Sequence, residues 1–426
     1  MRFRLASALR AGGSIIAASV LFACTGPIYA PVPSPSTLSP QSNVPAPIAP
    51  GSALAPTPQS NLRVALLAPQ TGAESSVGVS LVNAAQLALA APGSPMLDVH
   101  DTQSTPEGAA SAAEAAIAAG DQLIIGPLST KETATVAPIA QKASVPVLAF
   151  TNDPSQAMPG VWTLGISPGD QVERLVKAAH DEGRSHLAAL LPETAYGDLA
   201  AAALTQAAMD AGFPAPDVVR YGGGFSGLND SIRQLADYAD RRAPIDEKIR
   251  EAKAKLTAEG YKEASDLQKS AIPPPPFDAL LVGAVGLELS EAESLLPYYD
   301  VNPDAVRFLG PNGWAYASGS GTSAIGGGWY AAPDPALRMN FVSAYMDKFM
   351  MAPPSIADVA YDAASMARVL AGSTGVSTAS LTNPTGFAGV DGVFALGSDG
   401  HVRRALAIFQ IGGMMVQPSP ATAPGN

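Results

Sequence analysis

One cysteine, Cys24, and four histidines are all that 426 residues hold of the most versatile metal-ligating and nucleophilic side chains. A lone cysteine excludes a disulfide within the chain and a thiolate metal cluster. His100, His180, His186 and His401 are scattered, and no two stand at ligand spacing. Basic residues are also scarce: 25 Lys and Arg face 37 Asp and Glu, a formal charge of −12 with no basic run. Phosphate backbones need clustered cations, so nucleic acid is excluded as a partner. Aromatics at 6% weaken base stacking as well. No Gly-x-Ser-x-Gly elbow, phosphate loop or dinucleotide fingerprint occurs. Gly222-Gly223-Gly224 and Gly319-Ser320-Gly321 lack the residues that complete such motifs and read as flexible loops. Asp153, Glu193, Asp198 and Asp362 offer acid–base chemistry only in pairs, and spacing brings no two together. Neither an enzyme nor a cofactor or metal is expected.

What is present begins with a leader. Arg2, Arg4 and Arg10 precede a short apolar run at 11–23. That run falls short of the roughly 20 residues a bilayer span needs, and no later segment is a credible span. Leu21-Phe22-Ala23-Cys24 resembles the lipobox of bacterial lipoproteins, although Phe22 is bulkier than usual there. The resemblance implies removal of 1–23 and acylation of Cys24. The absence of Asp just after Cys24 implies, in such lipoproteins, sorting to the outer membrane. The alternative is cleavage after Ala30 with Cys24 discarded, which Pro31 directly after that site would hinder. Residues 25–60 are a Pro/Ser/Ala tract without apolar periodicity, unable to bury enough surface to fold. In extended polyproline geometry, at about 3.1 Å per residue, it would hold a folded body on the order of 100 Å from its anchor. Residues 416–426 read as a similar disordered tail.

From Asn61 the pattern changes. Apolar strands are expected at 62–68, 96–100, 123–125 and 147–150, alternating with helices at 77–91, 106–119 and 130–143. The helix at 106 opens with Thr105 as cap and Pro106 in its first turn. A second run follows, with helices at 171–182 and 199–211 and strands at 187–191, 217–221, 278–282 and 306–309. Further helices are expected near 290–298 and at 336–350 and 356–371. A terminal hairpin, 392–396 with 402–411, turns at Ser398-Asp399-Gly400. Short buried strands alternating with amphipathic helices mean parallel βαβ units, here in two halves. Residues 240–276 interrupt the second half with a charged, helix-favouring insertion closed by prolines. Two readings stay open for it, a solvated helical insertion or a partner-binding arm.

In open parallel sheets, ligands bind beyond the carboxyl ends of strands, where helix N-termini point. Ser129-Thr130-Lys131-Glu132 fits a capping box, which alone explains Ser129. The same helix start also suits an anion such as a carboxylate. Phe150-Thr151 ends the next strand beside it. Tyr196, just past the strand at 187–191, would face this crevice from the opposite wall, or else pack on its own lobe.

VALLAPQTG at 64–72, IIGPLST at 124–130, SVPVLAF at 144–150, LPETAYGDLA at 191–200, FLGPNGW at 308–314 and VAYDAASMA at 359–367 together resemble the type I periplasmic-binding fold, leucine/isoleucine/valine-binding branch. That resemblance implies an α/β protein of two Rossmann-like parallel-sheet lobes joined by three crossovers. It implies a first lobe of about 62–165 with 332–391 and a second of about 166–331 with 392–415. It also implies that a small carboxylate-bearing ligand is bound by Ser129, Thr130, Phe150 and Thr151, with Tyr196 closing from the second lobe and Asn312 and Trp314 lining the crevice. Asn312 stands in GPNGW where amino-acid binders carry an acidic residue. An amide cannot neutralise a buried ammonium, which counts against a free α-amino acid.

Within the branch, the lipobox, the proline tether, the charged insertion and LTNPTGFAGVDGVF at 381–394 resemble the penicillin-binding protein activators, lipoproteins that stimulate peptidoglycan synthases. The expected role is a non-catalytic envelope lipoprotein whose partner is a bifunctional penicillin-binding protein, held to the membrane by lipid alone. The alternative is a substrate-binding receptor delivering branched-chain or related amino acids to an ABC permease.

Overall fold

A computed structural model describes residues 61–317, 323–373 and 375–422. The leader, Cys24, the tether and Gly319-Ser320-Gly321 lie outside the described residues.

The first βαβ run is β1 (Arg63–Ala68), α1 (Ser75–Ala88), β2 (Met96–Asp101), α2 (Pro106–Ala119), β3 (Leu123–Ile125), α3 (Thr130–Ala143), β4 (Val147–Ala149) and β5 (Val161–Thr163). Its strands form an all-parallel sheet in the order β2-β1-β3-β4-β5. Local chemistry starts the helices where the residues demand. Thr105 accepts from the Gly108 N–H with Pro106 behind it, and Ser129 and Glu132 complete a reciprocal capping box. Gly126 holds φ at +89°, and a Cβ there would press to 2.3 Å from the Leu67 carbonyl, so only glycine passes the turn after β3.

The chain then crosses to the second lobe with α4 (Pro168–Asp181), β6 (Leu187–Pro192), α5 (Ala195–Ala211), β7 (Asp217–Tyr221) and α6 (Gly224–Leu235). Gly222-Gly223-Gly224 is thus the entry to a helix. After α7 (Tyr238–Ala254) and α8 (Ala258–Gln268) come β8 (Ala279–Val282), α9 (Gly286–Leu295), β9 (Arg307–Gly310) and β10 (Trp329–Ala332). A second crossing leads to α10 (Pro335–Phe349), α11 (Ile356–Ala371), the single turn α12 (Thr378–Leu381), and β11 (Phe387–Gly389), β12 (Gly392–Leu396) and β13 (Val402–Arg404). The third crossing, at Ala405-Leu406, delivers β14 (Ala407–Gln410) and β15 (Met414–Gln417) to the second sheet, ordered β15-β14-β10-β9-β8-β6-β7. The body is therefore an α/β bilobed periplasmic-binding fold with two parallel-sheet cores.

Three expectations need correction. The strand expected at 402–411 is two strands in different sheets, and 392–404 packs with the first lobe. Phe394, Leu396 and Val402 share a core with Leu66, Ile125, Phe341 and Ala363, and the apolar surface buried there holds the hairpin on the first lobe. Nor is 416–426 a loose tail throughout, since Gln417 lies in β15 and its side chain accepts from Arg174 at 3.1 Å.

The charged insertion is a helical hairpin. Ile249, Ala252 and Ala264 make a small core of their own, which leaves most of its charges in water. Its root is held by Arg241, whose guanidinium donates to the carbonyls of Ala236 (2.8 Å), Tyr299 (3.2 Å), Asp300 (3.1 Å) and Pro273 (2.8 Å). Arg241→Met keeps an apolar stem but strands these carbonyls, at a local loss of about 2–3 kcal/mol. Faster amide exchange through 238–268, with β6 and β8 unchanged, is the expected result; equal exchange in both proteins would remove the anchoring role.

Candidate functional site

The first sheet reverses its winding between β1 and β3, and the loops leaving β1, β3 and β4 open into one crevice there. The cavity holds about 920 Å³. Glu74 and Val77 follow β1, Leu128–Thr130 follow β3, and Phe150–Asn152 follow β4. The second lobe contributes Asn312, Ala315 and Tyr316 after β9, and the crossovers add Gly165, Ile166 and 332–335.

Five of the expected residues, Ser129, Thr130, Phe150, Thr151 and Asn312, meet on these walls. The polar atoms of four of them are engaged within the protein. The Ser129 hydroxyl donates to Glu132 Oε2 at 2.8 Å, and the Ser129 N–H reaches the same oxygen at 2.9 Å. A buried glutamate thus sits at the helix start that would receive a ligand's carboxylate. The hydroxyls of Thr130 and Thr151 bond at 2.9 Å, and the Asn312 N–H donates to Gln171 Oε1 at 2.8 Å.

Tyr196 and Trp314 are not among the lining residues. Tyr196, in the first turn of α5, packs against the second lobe's core, and burial pushes its phenol up to about 12. Trp314 is 0% exposed, lies against Gly310 and donates its indole N–H to the Ala284 carbonyl at 3.0 Å. An indole that finds both apolar cover and an acceptor has no cause to face water. Its neighbour Tyr316, 87% exposed, stands at the crevice instead.

The first lobe also carries a charged wall that no motif in the sequence marks. Arg338 of α10 pairs with Asp358 of α11 and donates to the Pro353 carbonyl at 2.9 Å. Asp391, in the turn between β11 and β12, lines the cavity beside them. Behind this wall Asp362 accepts the Val390 N–H at 2.7 Å and faces Arg404 at 3.4 Å. Burial, opposed by the Arg338 hydrogen bond and reinforced by the neighbouring Asp391 charge, pushes Asp358 up to about 7. Burial outweighs Arg404 at Asp362 and pushes it up to about 6, while Asp391 is raised for the same reason. Asp358 and Asp362 stand four apart on the otherwise apolar buried stripe of α11, which was the available signal. Among the described residues no group of three or more His, Cys, Asp or Glu is arranged to hold a metal ion. No helix among them is long and apolar enough to cross a membrane.

Residues 61–238 match the family model described as periplasmic binding protein. No curated protein matches the chain in sequence. Among solved structures, the fold resembles the C-domain of LpoA from Haemophilus influenzae, a regulator of PBP1A, at 16% identity and a TM-score of 0.59, covering 84% of this chain and 99% of that one. Against full-length LpoA from the same organism the values are 16% and 0.60, and the match spans 85% of this chain but 60% of that one. A Rhodospirillum rubrum protein assigned as a branched-chain amino acid ABC transporter is similar at 19% identity and 0.58, over 82% of this chain and 97% of that one.

Two outcomes follow from this geometry. Trp314→Ala is expected to lower stability by about 3–5 kcal/mol as a core truncation, measured by denaturant unfolding. Asp358 and Asp362 hold protons more tightly folded than unfolded, so the stability they add is complete below about pH 4 and is lost as pH rises through about 6 and 7. The melting temperature should fall from pH 5 to pH 8, less steeply in Asp358→Asn; a rise across that interval in the wild type would contradict the assignment.

Proposed function

We propose that this chain, which has the bilobed fold of the periplasmic binding proteins, is a non-catalytic envelope lipoprotein that regulates peptidoglycan synthesis by contacting a bifunctional penicillin-binding protein. The observation that carries this reading is the state of the crevice. The groups that would receive an amino acid's carboxylate are engaged with Glu132 and with each other, and Tyr196 is turned into its own lobe. Asn312 offers no charge for the ammonium. A body resembling the C-domain of LpoA, a regulator of PBP1A, behind a leader at 1–23, Cys24 and a long proline tether, suits a protein that reaches a partner. Anchorage at the outer membrane through Cys24 belongs to the same proposal.

The open volume between the lobes favours a second reading, a substrate-binding receptor of an ABC transporter for branched-chain or related amino acids. The two separate cleanly. Co-precipitation of the full-length protein with a bifunctional penicillin-binding protein, and severalfold faster glycan polymerisation in its presence, are expected of the regulator. Loss of both on deleting 240–270 would locate the contact on the helical arm. Micromolar calorimetric binding of leucine, isoleucine or valine that Ser129→Ala abolishes, with no effect on the synthase, would establish the receptor instead.

A further inference from the structure

The charged wall of the crevice has a chemistry that neither role uses. Asp358 is 1% exposed, and its Oδ1 is buried with no hydrogen-bond donor among the described residues. Its other oxygen, Oδ2, is held by Arg338. The carboxyl of Asp391 is its hydrogen-bonding neighbour, and both side chains line the cavity. Two carboxylates cannot bond to each other without a donor, so the pair is satisfied only by a proton between them or by a cation that takes the proton's place.

We propose that Asp358 and Asp391 form a cation subsite on the first-lobe wall of the crevice, which takes the primary ammonium of an organic amine in exchange for a proton.

The surrounding charges favour that sign. Arg338 on α10, Asp362 on α11 and Arg404 on β13 face the pair. Counted together, three carboxyls meet two guanidiniums, so one added positive charge makes the group neutral. Arg338 is the sole basic residue among the described lining, and its guanidinium is already committed to Asp358 and to the Pro353 carbonyl. Glu74 and Asp334 line the same cavity, so an anion entering it meets further negative charge. An ammonium brings the N–H donors that the unpartnered Asp358 oxygen lacks. The remaining wall is largely apolar, with Val77, Leu128, Phe150 and Ile356, and about 920 Å³ leaves room for an organic body behind the charged head. In the exchange the shared O–H bond breaks, its proton leaves to water, and the ammonium keeps all three of its own. The subsite rests on this wall alone, and both functional readings above are compatible with it.

Calorimetry on the full-length protein tests it with hexylamine, 1,6-diaminohexane, hexanoate and calcium chloride, in two buffers of different ionisation heat. The amines are expected to bind and hexanoate not, with proton release at pH 7. Affinity for the amines should be about tenfold higher at pH 8 than at pH 6, because Asp358 titrates near 7. Asp358→Asn and Asp391→Asn should each weaken amine binding at least tenfold and remove the proton release. The proposal is overturned if neither amine gives heat, or if hexanoate binds as well as hexylamine. Calcium displacing the amines, or amine affinity surviving in both variants, would overturn it equally. Should the variants fail to fold, the wild-type buffer dependence decides, and amine binding without proton release at pH 7 rejects the exchange.

Discussion

Arg404 lies where the chain makes its last passage from one lobe to the other, 2% exposed, with its guanidinium on the face of Phe394. It donates to the Leu164 carbonyl at 3.0 Å, beside the first passage, and faces Asp362 in α11. Its own backbone N–H reaches Asp170 Oδ1 at 3.3 Å, at the start of the second lobe's first helix. A buried cation costs several kcal/mol unless its donors find partners, and here the Leu164 carbonyl and Asp362 supply them, while the backbone N–H of the same residue reaches the second lobe. The first and third crossovers are thereby tied together by one side chain. The wall carrying Asp358 and Asp391 is built outward from that knot.

This arrangement explains why the crevice differs from a simple amino-acid trap. Its hydroxyls serve the helix start and one another, and its uncompensated polarity is acidic and sits on the first lobe. Five of the residues that the family resemblance implied are therefore present as wall, while the charged wall of the same crevice comes from α10, α11 and the turn between β11 and β12. Tyr196 illustrates the competition: an aromatic just past a strand can face the gap or cover its own core, and apolar burial decides in favour of the core.

Much of the fold was legible because local chemistry and tertiary packing agree. α2, β3 and α3 have the expected bounds, since caps at Thr105 and Ser129 and the Gly126-Pro127 turn punctuate the chain sharply. β5 is three residues long and β10 follows a glycine-rich turn, so neither offers a periodic run to detect. The break between β13 and β14 leaves no mark in sequence, because Ala405 and Leu406 continue the apolar pattern straight through the crossing. Of the site, the residues beside strand ends were legible from parallel-sheet topology. The acidic wall was not, since Arg338, Asp358 and Asp391 come from two helices and a turn that only the folded chain brings together.

The helical hairpin rooted by Arg241 has a mechanical consequence. Its first helix runs Tyr238–Ala254, on the order of 25 Å at the usual rise per residue, and its base is fastened to carbonyls of the second lobe. A projection clamped so firmly turns with that lobe as one piece. Any rotation about the crossovers would be magnified at its tip in proportion to that length, like a pointer on a dial, and so become perceptible to a neighbour that never touches the crevice.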